Sequence, residues 1–509
     1  MSAQTQTEKV PALPKAKLVL RKAKGKHKDN KNLLRFDLLY QLSFMSVVAA
    51  SGVPRNKVFE KAAELPCAGA DYFKKIDLVQ KRLQYDYARA CRMVGEGSKE
   101  AEVRALLLRF STALTAGESE ANFLSREAAS QIEAYNNDYQ RKLEGLKMWA
   151  DAYVSLVLSA VLIIIISIVS TMIWKLDTAF ILGMAVISVG STSIGLWLIY
   201  LESPKELVAL REASSPEQKM MRKLFALTVP MTLAGGALLF MGGVNFGIIL
   251  LVVAALFVPI GIVASIDDSK IAKKDADVGA FLRTLGSVCT TVGATVKDAL
   301  GRMDLNAINN LKLNVRRLHT RLTSGINPRL CWQRFISETG SETISRSVGM
   351  FYDAIELGGD PQQAGFHAAL FSTNIAVLRD RRKTVSSPFR WLCLAMHASV
   401  VVLLTFITEV IMIFGKMVSG AEAAMPKVSG APTSKAFSSF NYAGLELMHS
   451  MVIPMVLIFT VANAIAPTLA AGGSRYRIFQ NLAITSAVTG ICLVVLPTLA
   501  QKLFVSIKV

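Results

Sequence analysis

Nothing in the 509 residues fits a phosphate-cradling G-x-x-x-x-G-K-[ST] loop, an H-E-x-x-H metal helix or a G-x-S-x-G nucleophile turn. Gly235-Gly236 and Gly242-Gly243 lie inside apolar runs, and neither Gly325 nor Gly358-Gly359 is followed by the lysine that a phosphate loop needs. The five histidines (His27, His319, His367, His397 and His449) are too scattered to suggest a metal site. The six cysteines (Cys67, Cys91, Cys289, Cys331, Cys393 and Cys492) show no C-x-x-C spacing and no disulfide framework, so each reads as a small apolar side chain. No catalytic, cofactor-binding or metal-binding residue is expected, and any energy used must come from another protein. Acid is also scarce: 38 Asp and Glu face 57 Lys and Arg, a formal charge of +19. No helix-turn-helix, RNA-binding or zinc-finger pattern accompanies that charge, so no nucleic-acid partner is expected. No apolar h-region precedes the first helical segment, which speaks against a cleavable signal peptide.

What the chain has in abundance is apolar sequence, 52% of its residues, much of it in long uncharged runs. About seven runs meet the roughly 20-residue length needed to cross a bilayer. They are Ala152–Trp174, Ala179–Leu201, Leu224–Met241, Phe246–Ile266, Phe389–Phe414, Val452–Ala470 and Ile484–Phe504. Lys175 to Asp177 and Gly242 to Asn245 separate neighbouring runs so tightly that two hairpins are expected. Lys and Arg near the ends of the runs set orientation. The basic N-terminus, the Lys205–Lys223 connection, Lys383 and the Arg475/Arg477 turn all fall on one side, predicted to be cytoplasmic. The Ser419–Ser450 loop and the C-terminus fall on the other.

Between the runs lie two soluble segments of helical period. In Phe281 to Leu370, apolar residues recur at helical spacing, with Gly293, Gly325 and Gly358-Gly359 between periodic stretches, where glycine ends one helix and lets the next turn back. A related pattern with Gly52 and Gly117 occurs earlier, so one helical bundle is expected twice. Pairing Gly52–Gly117 with Gly293–Gly325 gives spacings of 65 and 32 residues, which suggests about one extra helix pair in the first bundle. Asp71 to Met93 reads as one long amphipathic helix, and Ser119 to Trp149 as a helix continuing into the first membrane run. The expected fold is an all-α polytopic membrane protein. Its divisions are a basic disordered tail (1–32), a first cytoplasmic bundle (33–150), four spans in two hairpins (151–266), a second bundle (267–388) and three spans (389–509). The tail is too poor in apolar residues to fold alone and reads as a solvated topogenic segment before it reads as an arm for anionic lipid or an acidic partner.

Two charge groups stand out. Arg316, Arg317 and Arg321 place at least two guanidinium groups on one helical face, far in sequence from any span, which suits docking of an acidic cytoplasmic partner. Arg379, Arg381, Arg382 and Lys383 form a second group; part of its bias is topogenic, and Arg379, Arg381 and Arg382 are expected to contribute to the same docking surface. Glu409 lies in an apolar run, but about 1.5 Å of rise per residue from Trp391 carries it to the outer interface, where hydration suffices.

Several stretches together carry a resemblance. They are LLRFSTALTAGESEANFLSREA from Leu107, with Gly117-Glu118 and Tyr135 beyond it, and FLRTLGSVCTTVGATVKDAL from Phe281. LHTRLTSGINPRLCWQRF from Leu318, AIELGG from Ala354, Asn463-Ala464 and AGGSRY from Ala471 complete the set. The chain resembles the archaeal branch of the type II secretion system F family, over most of its length from about Leu33. That resemblance implies a non-enzymatic membrane platform of a type IV pilus-like machine, archaellum or pilus. The implied partners are a hexameric secretion ATPase, pilin or archaellin subunits, membrane lipids and a second copy of the chain. The alternative is a transporter or channel, but transporter repeats lie in the membrane, whereas this repeat lies in the soluble part.

Overall fold

A computed structural model describes residues 31–173, 178–210, 215–424 and 442–506. The N-terminal tail up to residue 30, the first hairpin turn at 174–177, and most of the 419–450 loop lie outside the described residues. Among those described, every regular element is helical, and one isolated bridge joins Ala209 and Ser341.

The first helix, α1 (Lys31–Ala50), is buried on every side from Phe36 to Ala49. Gly52 turns the chain with φ +71°, and Pro54 precedes α2 (Arg55–Glu64), a position where its missing N–H removes no helical bond. There follow α3 (Ala70–Leu83), α4 (Tyr87–Glu96) and α5 (Ala101–Thr115). The single amphipathic helix expected from Asp71 to Met93 is two helices. Gln84 adopts a left-handed conformation at φ 54°, and the Asp86 side chain accepts from Arg89 N, so α4 starts afresh under its own cap. Phe59 stacks on Tyr87 at 4.4 Å and on Phe110 at 5.5 Å, and Phe110 stacks on Phe123 at 4.8 Å. Each fully buried Phe removes enough apolar surface from water to favour the fold by about 1.5–3 kcal/mol. Gly117 then leads into α6 (Glu120–Ile173), one helix of 54 residues, roughly 80 Å long.

The second repeat begins inside a long helix. After α7 (Thr178–Glu202) and α8 (Pro216–Met241), α9 (Phe246–Val292) runs from membrane-grade sequence into the soluble body and ends at Gly293. Then come α10 (Val296–Arg302), a 3-10 turn at Leu305–Ile308, α11 (Lys312–Thr323), α12 (Pro328–Thr339) and α13 (Glu342–Glu356). Gly358 leads into α14 (Pro361–Ala424), a helix of 64 residues. Each repeat thus has four helices between its turning glycines. Gly52 to Gly117 spans 65 positions, and so does Gly293 to Gly358. The extra helix pair expected in the first repeat does not exist, because the partner of Gly117 is Gly358 rather than Gly325. Gly359 differs from the other turn glycines: it lacks their positive φ and packs on Ser51 so closely that a Cβ would meet that side chain.

The two repeats share one hydrophobic core. α1 lies against α6, α13 and α14, with Phe371 of α14 at 6.4 Å from Phe36 and 6.0 Å from Tyr40. The Arg346 guanidinium crosses the seam: it donates to Asp37 at 2.9 Å and Glu342 at 3.0 Å, and lies 4.6 Å from the ring centre of Phe36. Asn136 of α6 and Asn374 of α14 exchange two amide hydrogen bonds of 3.0 Å. α9 and α14 approach through Gly279, Gly286 and Gly365, where an added Cβ would strike backbone or side-chain atoms of the facing helix.

Among the described residues seven helices are long and apolar enough to cross a membrane: α6, α7, α8, α9, α14, α15 (Tyr442–Ala471) and α16 (Ile478–Ser506), the last preceded by a 3-10 turn at Arg475–Arg477. The most apolar stretch of α15 is 56% buried, so it is central, while that of α8 is only 11% buried and faces outward. One group of polar side chains among the spans forms a connected network. Tyr153 donates to Asn463 Oδ1 at 2.8 Å, Asn463 Nδ2 lies 3.1 Å from His397 Nδ1, and His397 Nε2 reaches Thr489 at 3.0 Å and the Thr485 carbonyl at 3.2 Å.

Candidate functional site

The densest polar arrangement lies where the soluble body meets the ends of the spans. The connection leaving α7 (residues 203–210) does not wander over the surface. Leu210 N donates to the Gly340 carbonyl at 2.9 Å and Glu342 N to the Val208 carbonyl at 3.1 Å, so it pairs with the turn between α12 and α13. Glu206, near its middle, is buried among cations. It accepts from Arg379 Nε at 2.8 Å, from Arg382 Nη1 at 3.3 Å and from Tyr139 of α6 at 3.0 Å. Burial by itself would raise its carboxyl, but Arg379 and Arg382 outweigh that and hold it below the ordinary glutamate value. Arg379 also donates to Asp275 of α9 at 2.5 Å and to the Leu207 carbonyl at 3.0 Å. Asp275 in turn accepts from Ser341.

Arg382 uses all five guanidinium N–H donors within the chain. They reach the carbonyls of Ala470 (2.9 Å), Leu469 (3.0 Å) and Pro204 (2.8 Å), the Ser203 hydroxyl (2.6 Å) and Glu206. Leu469 and Ala470 belong to the last turn of α15, whose carbonyls have no helical partner of their own. One side chain of α14 therefore closes the end of α15 and pins the connection after α7. Rows of planar donors and buried acceptors of this kind are stiff, and removal of one member leaves others unpaired.

The residues selected from sequence fall into two groups. Arg382 is buried in this junction and Arg379 is half-buried with its guanidinium committed to Glu206, Asp275 and Leu207, so their role is internal and not that of a docking surface; the i, i+3 spacing that reads as a charged run puts both on the face turned inward. Arg381 is exposed beside them, and Arg316 and Arg317 are exposed on α11. Arg321 is committed to Glu338 of α12 through bonds of 2.6 and 3.3 Å. Gly52, Gly117, Gly293, Gly325 and Gly358 have φ between +62° and +87°. Glu409 is half buried, about 30 Å along α14 from Phe389, far from the junction. Sequence reasoning missed Glu206, Asp275, Tyr139 and Ser203. A lone carboxylate just beyond a span end, within a basic connection, is the signal that singles out Glu206. Among the described residues no group of His, Cys, Asp and Glu is arranged to hold a metal ion.

These features define a polytopic, all-α membrane protein in which a duplicated helical body is clamped to the ends of its spans. The sequence is similar to two proteins described as Flagella accessory protein J. That of Methanococcus voltae is 23% identical over 309 residues, 58% of this chain and 55% of the relative. That of Methanocaldococcus jannaschii is 24% identical over 310 residues, 58% of this chain and 54% of the relative. The chain spans about half the length of the curated relatives it matches. No protein-family profile matches it, and no solved structure does.

Proposed function

We propose that this protein is the membrane platform of an archaeal type IV pilus-like filament machine, an archaellum in the first instance. It docks a cytoplasmic secretion ATPase on its helical body and passes the ATPase's conformational cycle to the spans that handle filament subunits. The observation that carries the reading is the Glu206–Arg379–Arg382 junction: a body that pushes on spans must be joined to them stiffly, and here buried ion pairs make the joint. Similarity to two flagella accessory proteins supports the filament assignment.

In this reading residues 33–150 and 267–388 form the cytoplasmic body, and the N-terminus is cytoplasmic, as the Lys and Arg bias favours. The ATPase-facing surface is the end carrying α11 and α12. Arg316 and Arg317 are exposed on α11, and Ile326 (46% exposed) and Leu330 (49%) are exposed at the turn into α12 and on its first turn, so this end offers both cationic and apolar side chains. The chain itself hydrolyses no nucleotide, in keeping with its lack of a phosphate-cradling loop.

Deletion of the gene in its native cell tests the filament assignment: one class of surface filament is lost and returns when the intact gene is supplied. Unchanged filaments and motility overturn it. For topology, a cysteine at Ser324 in a background free of the native cysteines stays unlabelled by an impermeant maleimide in intact cells. Labelling there overturns the cytoplasmic placement.

A further inference from the structure

A cleft of about 640 Å³ opens beside the junction, between α9, α14 and the turn joining α15 to α16. Its inner wall is the Glu206–Arg379–Arg382 network, whose charges pair internally. Its outer wall carries Arg381, Lys383, Arg390 and Arg477. Arg381, Lys383 and Arg390 have no carboxylate within ion-pair distance among the described residues, and Arg477 has only Asp268, at 3.9 Å. Asp268 is itself engaged, accepting from Ser474 N at 3.1 Å. Asp380, exposed, is the remaining carboxylate of the lining and pairs with none of the four, so the outer wall carries a net positive charge.

The cleft sits at the level where apolar spans begin and end. α14 turns membrane-grade at Phe389, α15 ends at Ala471, and α16 starts at Ile478. Lys383, Ser387, Arg390 and Trp391 recur at helical spacing on one face of α14, and Trp391 is 70% exposed. An exposed Trp one residue past an Arg is the arrangement of a membrane interface. Arg390 and Trp391 also line a second, narrow space of about 40 Å³ between α14, α15 and α16, with Leu394, Pro467 and Ile484 and with Asn463, Asn481 and Thr485, whose polar groups are hydrogen-bonded within the chain. Charge above and an apolar slot below, sharing the same two residues, match an amphiphile rather than a soluble anion.

We infer that this cleft is a site for an anionic phospholipid, whose phosphodiester is held by Arg390 and Arg477 and whose first acyl carbons enter the slot beneath Trp391. Basic pockets between spans are suited to such headgroups. The site lies in the leaflet facing the helical body. It is independent of the filament assignment, since it rests on the cleft alone.

The test uses the full chain purified in neutral detergent and exchanged into phosphatidylcholine bilayer discs with or without phosphatidylglycerol. Lipid retained on the protein is then read by native mass spectrometry. Wild type retains phosphatidylglycerol over phosphatidylcholine, and Arg390→Gln with Arg477→Gln lowers that preference by at least about tenfold. Lys297→Gln with Arg302→Gln removes equal charge from the exposed face of α10 and leaves the preference in place. Arg390→Gln alone breaks no hydrogen bond or ion pair among the described residues, so it carries the test if the double variant does not fold. Equal retention by wild type and the Arg390 variants overturns the site. So does an equal fall in the α10 control, which means general charge attraction, and so does full displacement by inorganic phosphate, which means a soluble anion.

Discussion

Replacing Arg382 by alanine removes five hydrogen bonds at once and should be among the most damaging single changes outside the apolar core. The magnitude follows from what is left behind. Glu206 keeps Arg379 and Tyr139, so its charge is not stranded, and the full penalty for orphaning a buried ion is avoided. The carbonyls of Ala470 and Pro204 lose their donor, while that of Leu469 keeps the Ser203 hydroxyl at 2.6 Å; each unsatisfied buried acceptor costs about 1–3 kcal/mol, less where the neighbouring cleft admits water. With two such acceptors, a loss of about 2–5 kcal/mol results. Arg382→Lys keeps the charge but offers three donors without the planar fork, and about half of that loss is expected. Arg381→Ala, one residue earlier and exposed, should stay within about 0.5 kcal/mol. The assay is thermal unfolding of the full chain in neutral detergent, read by circular dichroism, together with the rate of protease cleavage in the connection after α7. The expected order of Tm is wild type and Arg381→Ala together, then Arg382→Lys, then Arg382→Ala, with faster cleavage in the last. An Arg382→Ala protein that melts and resists cleavage like Arg381→Ala would refute the argument that this side chain ties the spans to the connection.

Three further outcomes can be checked. Burial raises the Asp353 carboxyl to about 6, with Lys61 opposing and Glu356 adding to the rise. Because the fold then holds this proton more tightly than the unfolded chain does, the contribution is complete below about pH 4 and lost as pH rises through about 6. The stability of wild type relative to Asp353→Asn should fall by on the order of 1 kcal/mol across that window in denaturant titrations, and a flat difference refutes the shift. Gly286→Ala puts a methyl into the backbone of α14 and should destabilise by about 1–3 kcal/mol. Gly236→Ala on α8 meets open space and should be neutral or slightly stabilising, so equal effects in the two would deny the close α9–α14 contact. Finally, Arg316→Glu with Arg317→Glu should weaken binding of the secretion ATPase by more than about tenfold and flatten its salt dependence, with the fold unchanged. Undiminished binding by the well-folded variant removes α11 from the docking surface.

Periodicity and composition alone determined the fold class and the spans, since a bilayer demands runs of about 20 apolar residues and no tertiary contact is needed to see them. They also revealed the turning glycines, because a left-handed residue at a helix end is written locally, at Gly52 as at Gly293. Asp86 shows how fine that local code is: its capping oxygen splits the helix expected from Asp71 to Met93, and one side-chain bond outweighs an unbroken apolar period. The register between the repeats depended on structure, because Gly325 and Gly358 are equally plausible partners for Gly117 until the helices between them are counted. The junction was the least legible part. Charge next to a span reads as topology or as docking surface, and the two differ only in whether the side chain faces water. Arg381 and Arg382 are neighbours in sequence, yet one is exposed and the other spends every donor inside the protein. What decides between them is the position of Glu206, 176 residues away from Arg382 along the chain. Ion pairs form across whatever distance the fold closes, and closing that distance is the work of α6, α7, α14 and α15 packing together.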